Sequence, residues 1–172
     1  MFSDHLPVPL LTTVLSAATV GIYVLTLMLR RREIPESISE TYYELRHHII
    51  FSLVMWATGL LLVPGLLAVS CPHTAPVGLA SAVGMLIAGA APRFHEHRQR
   101  AIHNFGGVLA GLGSQLWVLM NAPHMLSVWT LYPVYIVFTL LLRGTVRNPI
   151  HAAEVTASVA MYATLLLRLL GH

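Results

Sequence analysis

Residues 9–29 have the sequence PLLTTVLSAATVGIYVLTLML, and Arg30, Arg31 and Arg32 follow directly. A helix needs roughly 20 apolar residues to cross the hydrocarbon core of a bilayer, and this run has that length. Five more apolar runs follow in a 172-residue chain that is 56% hydrophobic and 10% charged, whereas about a quarter of a soluble domain is charged. We therefore expect one domain over residues 1–172, an all-α polytopic transmembrane helical bundle of six spans. The predicted spans are residues 9–29, 49–69, 77–91, 103–120, 125–142 and 150–167.

The basic residues predict how this bundle is oriented. All ten are Arg, and nine lie in three segments between spans: Arg30, Arg31, Arg32 and Arg46; Arg93, Arg98 and Arg100; Arg143 and Arg147. Short Arg-rich loops stay on the cytoplasmic side of a membrane. Six crossings place all three arginine segments there and both termini on the outer side. An aromatic belt is then expected near the outer interface, formed by Trp117, Trp129, Tyr132 and Tyr135.

The third predicted span is the weakest of the six. Residues 77–91 would make a helix of roughly 22 Å, which is shorter than the hydrocarbon core of about 30 Å. The helix could begin earlier, near Thr74, thin the bilayer locally, or re-enter without crossing. Re-entry would place the second arginine segment outside, against the Arg bias, so we predict a crossing.

The charge pattern also indicates the partners. The net charge of +3 does not predict nucleic-acid binding, because the Arg residues lie beside apolar spans and not along one polar face. The expected partners are the lipid bilayer and its anionic headgroups, which attract each juxtamembrane cation by about 1 kcal/mol. A homo-oligomer or a membrane partner protein is also consistent with the small residues on the predicted helix faces.

Small residues repeat at helical spacing in two spans. Gly107 and Gly111 form a GxxxG step in the fourth span, and Ala80, Gly84 and Ala88 repeat in the third. Such faces let two helices approach closely. The two glycines of the fourth span would open a groove that holds either a lipid chain or another helix, and the helix is the favoured occupant.

Glu154 is the most informative single residue. It lies about one turn inside the last span, where an ionised side chain costs about 2.5–3.5 kcal/mol on insertion scales. His151 precedes it by three positions, and Ser158 and Tyr162 follow at four and eight, so the four residues share one helix face. The face either contacts a ligand or carries protons; alternatively, the carboxylate forms a structural hydrogen bond to a neighbouring helix.

The fourth span carries a second polar stripe. His103 lies at its start and Ser114 in its second half, with Gln115 adjacent. His103 and the His151–Glu154 pair are both predicted near the cytoplasmic leaflet. A shared site requires the fourth and last spans to be neighbours, which the sequence does not show.

The loop before the second span carries a capping pattern. Ser37 is followed three residues later by Glu40, which is typical of a capping box that starts a helix. We expect this helix to continue through Tyr42 and Tyr43 into the second span. The capping pattern does not explain why the two serines, Ser37 and Ser39, are followed by two consecutive tyrosines.

This combination resembles a known group of proteins. Ser37-Ile38-Ser39 followed by Tyr42-Tyr43 before a span is similar to the SIS-x-YY-type loop of small bacterial multi-pass membrane proteins of unassigned function. Further similar pieces are Gly89-Ala90-Ala91-Pro92, His103, Ser114-Gln115-Leu116-Trp117 and Glu154. The resemblance implies a shared bundle with a shared polar set in the bacterial cytoplasmic membrane. It implies no particular activity.

The second arginine segment contains imidazoles that suit zinc. His95, His97 and His103, with Glu96, are residue types that bind this metal, and three protein ligands plus water would make a catalytic centre. The spacing matches no established zinc motif, and the flanking Arg residues would repel a cation. No metal or other cofactor is therefore favoured.

These observations favour one function over two alternatives. The favoured one is a lipid or small-amphiphile binding or transport bundle with a polar site near the cytoplasmic leaflet. Its ligand-binding or proton-coupling residues would be Glu154, His151, His103, Ser114, Gln115, Ser37, Ser39, Tyr42 and Tyr43. The first alternative is an intramembrane metal- or acid/base-dependent lipid hydrolase, although no nucleophile–base spacing is visible. The second is an accessory subunit of a membrane stress or defence complex. Catalysis is thus the less favoured class, and no catalytic residue is assigned.

Overall fold

The computed structural model describes residues 7–146 and 148–171, apart from the side chain of Arg143. Within that part the chain is helical and contains no strand. Arg147, the last member of the third arginine segment, lies outside the described residues. The elements in chain order are α1 (Pro7–Arg31), α2 (Thr41–Glu44), α3 (Ile49–Val69), α4 (Ala75–Ala90), α5 (His97–Asn121), a 3-10 helix (Pro123–Thr130), α6 (Leu131–Arg143) and α7 (Pro149–Leu169).

The described helices include membrane-length apolar segments. Four are long and apolar enough to cross a membrane: Pro7–Arg31, Ile49–Val69, Pro123–Leu142 and Pro149–Leu169. The third of these joins the 3-10 helix to α6. Helix α4 has 16 residues, and α5 has 25 but begins with a polar turn that contains Arg98 and Arg100. An all-helical architecture compatible with a membrane protein is therefore confirmed.

Helices α4 and α5 are in close backbone contact at glycine. A Cβ added to Gly106 would lie 2.6 Å from the backbone nitrogen of Ala88, and one added to Gly84 would overlap the backbone of Ala110. By contrast, a Cβ added to Gly107 or Gly111 would meet no atom within 4 Å. The predicted small-residue face of the third span is therefore used at Gly84 and Ala88. The predicted helix contact at Gly107 and Gly111 is wrong, because Gly106 takes that place.

The core lies between α3, α5 and α7. The side chains of Leu66, Trp117 and Leu165 are completely buried there. The Trp117 indole nitrogen donates to the Ser70 hydroxyl oxygen at 2.7 Å. Trp117 is thus a core residue, and its assignment to an interfacial aromatic belt is wrong.

The three connections that carry arginine meet at one end of the bundle. The guanidinium of Arg93 donates from Nε to the Tyr42 hydroxyl at 3.2 Å, which joins the first and second connections. The Asn148 side-chain amide donates to the carbonyl oxygen of Ile34 at 2.5 Å, which joins the first and the third. Tyr135, which was expected in the outer aromatic belt, lines a cavity with Arg32, Glu33 and Asn148 at this end, so that expectation is wrong for it as well.

The first connection begins its helix as predicted but does not continue it. The Ser37 hydroxyl oxygen accepts the backbone N–H of Glu40 at 3.0 Å, which is half of the expected capping box. The helix then ends at Glu44, because Leu45 is extended with ψ of 138°. Two side chains pair with backbone carbonyls of this short helix. His48 Nδ1 donates to Tyr42 O at 2.8 Å, and the Arg31 guanidinium donates to Glu44 O at 2.7 Å. The expectation of a continuous helix into the second span is wrong.

Candidate functional site

The segment Ser37-Ile38-Ser39, called here the SIS segment, joins two helices. The backbone N–H of Ile38 donates to Glu154 Oε2 on α7 at 2.6 Å. The Ser39 hydroxyl lies 2.9 Å from His103 Nε2 on α5. Two consecutive residues therefore bind the two polar side chains that were singled out in the fourth and last spans. The SIS segment fills part of the space between α5 and α7 at the end where the arginine segments lie.

The surroundings of His103 determine the direction of its hydrogen bonds. Its Nδ1 lies 3.2 Å from the carbonyl oxygen of Ala88 and 3.0 Å from that of Ala91. Because both neighbours are acceptors, the hydrogen of the neutral imidazole is on Nδ1. Nε2 then carries the lone pair and accepts the hydrogen of the Ser39 hydroxyl. The Phe94 ring stacks on the imidazole with centroids 4.8 Å apart. The His103 ring is thus held on its face by Phe94 and at its edge by the hydrogen bonds.

Glu154 faces a crevice between α5 and α7. The crevice has a volume of about 140 Å³, and its wall includes Ser39, Gly107, Gly111 and Ser114 besides Glu154. Gly107 is exposed, so the crevice is open on the bundle surface there. The groove predicted from the two glycines therefore exists, and no described helix fills it. The expected helix is thus not one of the described helices of this chain, and a helix from another chain stays a prediction.

No described side chain forms an ion pair with Glu154. Its hydrogen bond with Ile38 connects α7 to a backbone amide of the loop. A carboxyl group is costly in a membrane interior. In this open crevice, unlike in a packed core, a ligand can reach the Glu154 side chain. A ligand that enters the crevice would find an acceptor there.

Ser114 and Gln115 hold helices together. The Gln115 amide nitrogen donates to Ser114 Oγ at 3.0 Å and to the carbonyl oxygen of Ala157 on α7 at 3.1 Å. Its oxygen accepts the indole N–H of Trp129, in the 3-10 helix, at 2.8 Å. Ser114 donates its own hydrogen to Gly111 O at 2.8 Å. Gln115 is therefore a tie between α5, α7 and the 3-10 helix, while Ser114 lies at the crevice wall.

His151 does not line the crevice. Its side chain is only 5% exposed, and Nδ1 has no hydrogen-bond partner among the described atoms. It lines a second groove of about 760 Å³ between α1, α6 and α7, which adjoins the crevice at Ile38, Ser158 and Tyr162. The predicted pairing of His151 with Glu154 in one site is thus not observed, since the two side chains face different cavities.

Tyr42 and Tyr43 connect the first and second arginine segments. The hydrogen bond with the Tyr42 hydroxyl raises the pKa of the Arg93 guanidinium above its usual value, so this cation stays charged. The Tyr43 hydroxyl accepts the backbone N–H of His95 at 2.8 Å, and the two rings stack 4.1 Å apart. Neither tyrosine is in the wall of the α5–α7 crevice. They position the loops that close the end of the bundle.

The imidazoles considered for zinc do not form a centre. In the described part of the chain, no three His, Cys, Asp or Glu side chains are placed to hold one metal ion. His95 stacks on Tyr43 with Nε2 3.4 Å from Glu40 Oε2, and His103 binds Ser39.

The structure also contains buried hydroxyl contacts that the sequence analysis missed. The Ser16 hydroxyl donates to Thr58 O at 2.8 Å and lies 2.8 Å from the Tyr162 hydroxyl, which joins α1, α3 and α7. The Tyr23 hydroxyl lies 2.6 Å from Thr41 Oγ1, which joins α1 to α2. Ser16 and Tyr23 are seven residues apart and so lie on one face of α1. That spacing was an available signal.

Comparison with known proteins does not assign this chain to a family. No protein-family model, no curated protein and no solved structure matches the chain.

Proposed function

We propose that this protein is a membrane bundle that binds or transports a lipid or another small amphiphile close to the cytoplasmic leaflet. The observation that carries the proposal is the groove between α1, α6 and α7, called here the amphiphile groove. Its volume is about 760 Å³, and apolar side chains such as Val24, Leu131 and Val159 form most of its wall. It is much larger than the crevice beside Glu154, and it opens beside α6, which packs mainly on α7 and the 3-10 helix.

A polar cavity continues from the apolar groove. This second cavity has about 1120 Å³ and lies against the first and third connections, and Ile34 and Tyr135 line both spaces. Its wall includes four acidic residues and one arginine, namely Glu33, Glu36, Glu40, Glu44 and Arg32, so carboxylates predominate. An apolar channel that leads to carboxylates suits a molecule with a hydrocarbon tail and a headgroup that carries hydroxyl or ammonium groups.

His151 supplies a recognition group in the apolar part. Its Nδ1 is buried without a partner among the described residues, and an unpaired buried polar atom costs about 1–3 kcal/mol. The nitrogen is inaccessible in the present ring position, so a ligand in the groove would pair with it, and remove that cost, only after the imidazole turns. Of the residues predicted to bind a ligand, His151 is therefore the one best placed in the amphiphile groove.

The proposal includes six crossings with both termini outside, in the cytoplasmic membrane of a bacterium. Its support is the meeting of the arginine-bearing connections at one end of the bundle, which the positive-inside rule assigns to the cytoplasm. Helix α4, at 16 residues, would be about 24 Å long and would cross with its neighbours α3 and α5 covering much of its surface. The similarity to SIS-x-YY-type membrane proteins remains part of this proposal.

The decisive experiment fills the amphiphile groove. Gly21 lines it, and a Cβ added there would meet no atom within 4 Å, so we expect Gly21→Leu to fold and to place its side chain in the groove. Val14→Leu is the matched control, because Val14 lies on the same helix, is 45% exposed and is outside the groove. Mass spectrometry of lipids extracted from the purified proteins should show about tenfold less of one amphiphile in Gly21→Leu, equivalent to 1.4 kcal/mol. Equal lipid content in both variants would contradict the proposal.

A further inference from the structure

We propose that Ser39 and His103 form a nucleophile–base pair that transfers the acyl group of a membrane acyl ester. Ser39 lies in the wall of the α5–α7 crevice, and His103 contacts Ser39 without lining the crevice itself. Neither residue lines the amphiphile groove. Ser39 Oγ is 2.9 Å from His103 Nε2, which is the distance at which a base takes the hydrogen of a hydroxyl nucleophile. The residues are 64 positions apart in sequence, so their spacing gave no indication of this pair.

The base is held in the tautomer that the chemistry requires. In a serine–histidine–acid triad, an acidic side chain holds the hydrogen on the imidazole nitrogen that faces away from the nucleophile. Here the carbonyl oxygens of Ala88 and Ala91 accept from Nδ1, at 3.2 and 3.0 Å. Nε2 is therefore free to accept from Ser39. The imidazole is 4% exposed and stacked on Phe94, so its orientation is set before any substrate binds.

Access to the pair determines the class of substrate. Ser39 lies in the crevice wall, and apolar side chains such as Leu62, Met85 and Met161 form much of the rest. The opening at Gly107 and Gly111 faces the surface that hydrocarbon would cover in a bilayer. A volume of about 140 Å³ holds an ester group and the first carbons of a chain, while the remainder of the chain extends past the glycines. The substrate is therefore an acyl ester that enters from the membrane.

The reaction balances without a metal or a redox partner. Ser39 Oγ bonds to the ester carbonyl carbon while its hydrogen moves to His103 Nε2. The bond between that carbon and the alcohol oxygen then breaks, and the alcohol leaves with the hydrogen from Nε2. Water from the cytoplasmic surface attacks the acyl-serine in the same way, which releases the fatty acid and restores the hydroxyl. A second alcohol in place of water would give transacylation.

Glu154 is a positioning residue in this proposal. It binds the amide of Ile38, which immediately precedes the nucleophile, and it lines the same crevice. Without that hydrogen bond the SIS segment would lose its attachment to α7. We therefore expect Glu154→Ala to slow the reaction of Ser39 and Glu154→Gln, which keeps an acceptor oxygen, to preserve most of it.

The test uses an alkyl fluorophosphonate, which reacts covalently with activated serines. The full chain in lipid nanodiscs is treated with this probe, and the adduct is located by peptide mass spectrometry. An adduct on Ser39 supports the proposal, whereas no adduct, or an adduct only on another serine, overturns it. This labelling is measured on the wild-type chain, so its outcome does not depend on whether any variant folds.

Variants then separate the nucleophile from its loop. Ser39→Ala should abolish labelling, whereas Ser37→Ala should retain it, because Ser37 caps α2 and does not touch His103. His103→Gln should slow labelling roughly 100-fold, in line with the loss of a general base.

Gly107→Leu should block entry to the crevice, and Val108→Leu, on the exposed surface beside it, should not. Equal labelling of Gly107→Leu and Val108→Leu would overturn the proposed entry route. The lipid content measured for the amphiphile groove is a separate readout, so either proposal can fail alone.

Discussion

The Glu154 carboxylate accepts the backbone N–H of Ile38 at 2.6 Å, although 116 positions separate the two residues. This contact connects the last helix to a loop amide that no regular secondary structure satisfies. Together with the contact between Ser39 and His103, it fixes the position of the SIS segment between α5 and α7. The polar residues of two apolar helices thus bind one short loop, and a ligand in the crevice would contact that loop as well as the helices.

Substitutions at Glu154 should distinguish its hydrogen bond from its charge. We expect Glu154→Gln to have a free energy of unfolding close to that of the wild type, because the amide oxygen accepts from Ile38. Glu154→Ala should lose about 1–3 kcal/mol, the cost of an unsatisfied polar group. Thermal unfolding in detergent measures this difference, and hydrogen exchange at the Ile38 amide should become faster only in Glu154→Ala. Equal stability of the two variants would show that the hydrogen bond contributes little.

The sequence identified the residue types of this site but not their partners. A carboxyl group and an imidazole inside apolar runs attract notice because both are costly there. Glu154, however, binds a backbone amide and His103 binds two backbone carbonyls, and backbone groups occur at every position. Which backbone group a side chain meets depends on the fold of the loop, so hydropathy and spacing did not predict these contacts.

Adjacent glycines in α5 should respond oppositely to the same change. Gly106→Ala would place a methyl group 2.6 Å from the backbone nitrogen of Ala88, which forces α4 and α5 apart, so we expect a loss of about 1–3 kcal/mol. Gly107→Ala meets open space and should be neutral or stabilising by up to about 1 kcal/mol, through helix propensity. Denaturation of both variants in the same detergent measures the difference. The reverse order of stability would restore the GxxxG face of Gly107 and Gly111 as the helix contact.

This pair also shows why the helix faces were harder to predict than the helices. Hydrophobic run length predicted helical segments at all six positions, because that property is local. In contrast, α5 has glycines at 106, 107, 111 and 113, and two different faces can be drawn through them. Positions 107 and 111 form the familiar four-residue step, whereas 106 and 113 are seven apart and also share a face. The backbone of α4 packs against the second set, and the sequence has no local signal that chooses between them.

Removal of the Gln115 side chain should loosen one end of the bundle without emptying the amphiphile groove. Gln115→Leu deletes the bonds to Ala157 and Trp129, so we expect a loss of about 1–3 kcal/mol in stability. Hydrogen exchange should accelerate in the 3-10 helix, Pro123–Thr130. The extracted lipid should be unchanged, because Gln115 does not line the groove. A loss of lipid with unchanged exchange would instead make Gln115 a ligand contact, as the sequence pattern alone allowed.

The lone cysteine provides a direct test of orientation. Cys71 is exposed in the turn between α3 and α4, at the end of the bundle away from the arginine segments. A hydrogen bond with Thr74 lowers the pKa of its thiol, so the reactive thiolate is more populated at neutral pH than in an ordinary cysteine. A membrane-impermeant maleimide should therefore label Cys71 in intact cells.

The matched control moves the thiol to the opposite end of the bundle. Thr145 is exposed in the third connection, so Thr145→Cys in a Cys71→Ser background carries a single accessible thiol there. We expect this variant to be labelled only after the cells are opened, because the positive-inside rule places the arginine segments in the cytoplasm. Labelling of position 145 in intact cells, with protection of Cys71, would invert the bundle. The polar cavity and the Ser39–His103 pair would then face the outer leaflet, and the water that completes acyl transfer would come from outside the cell.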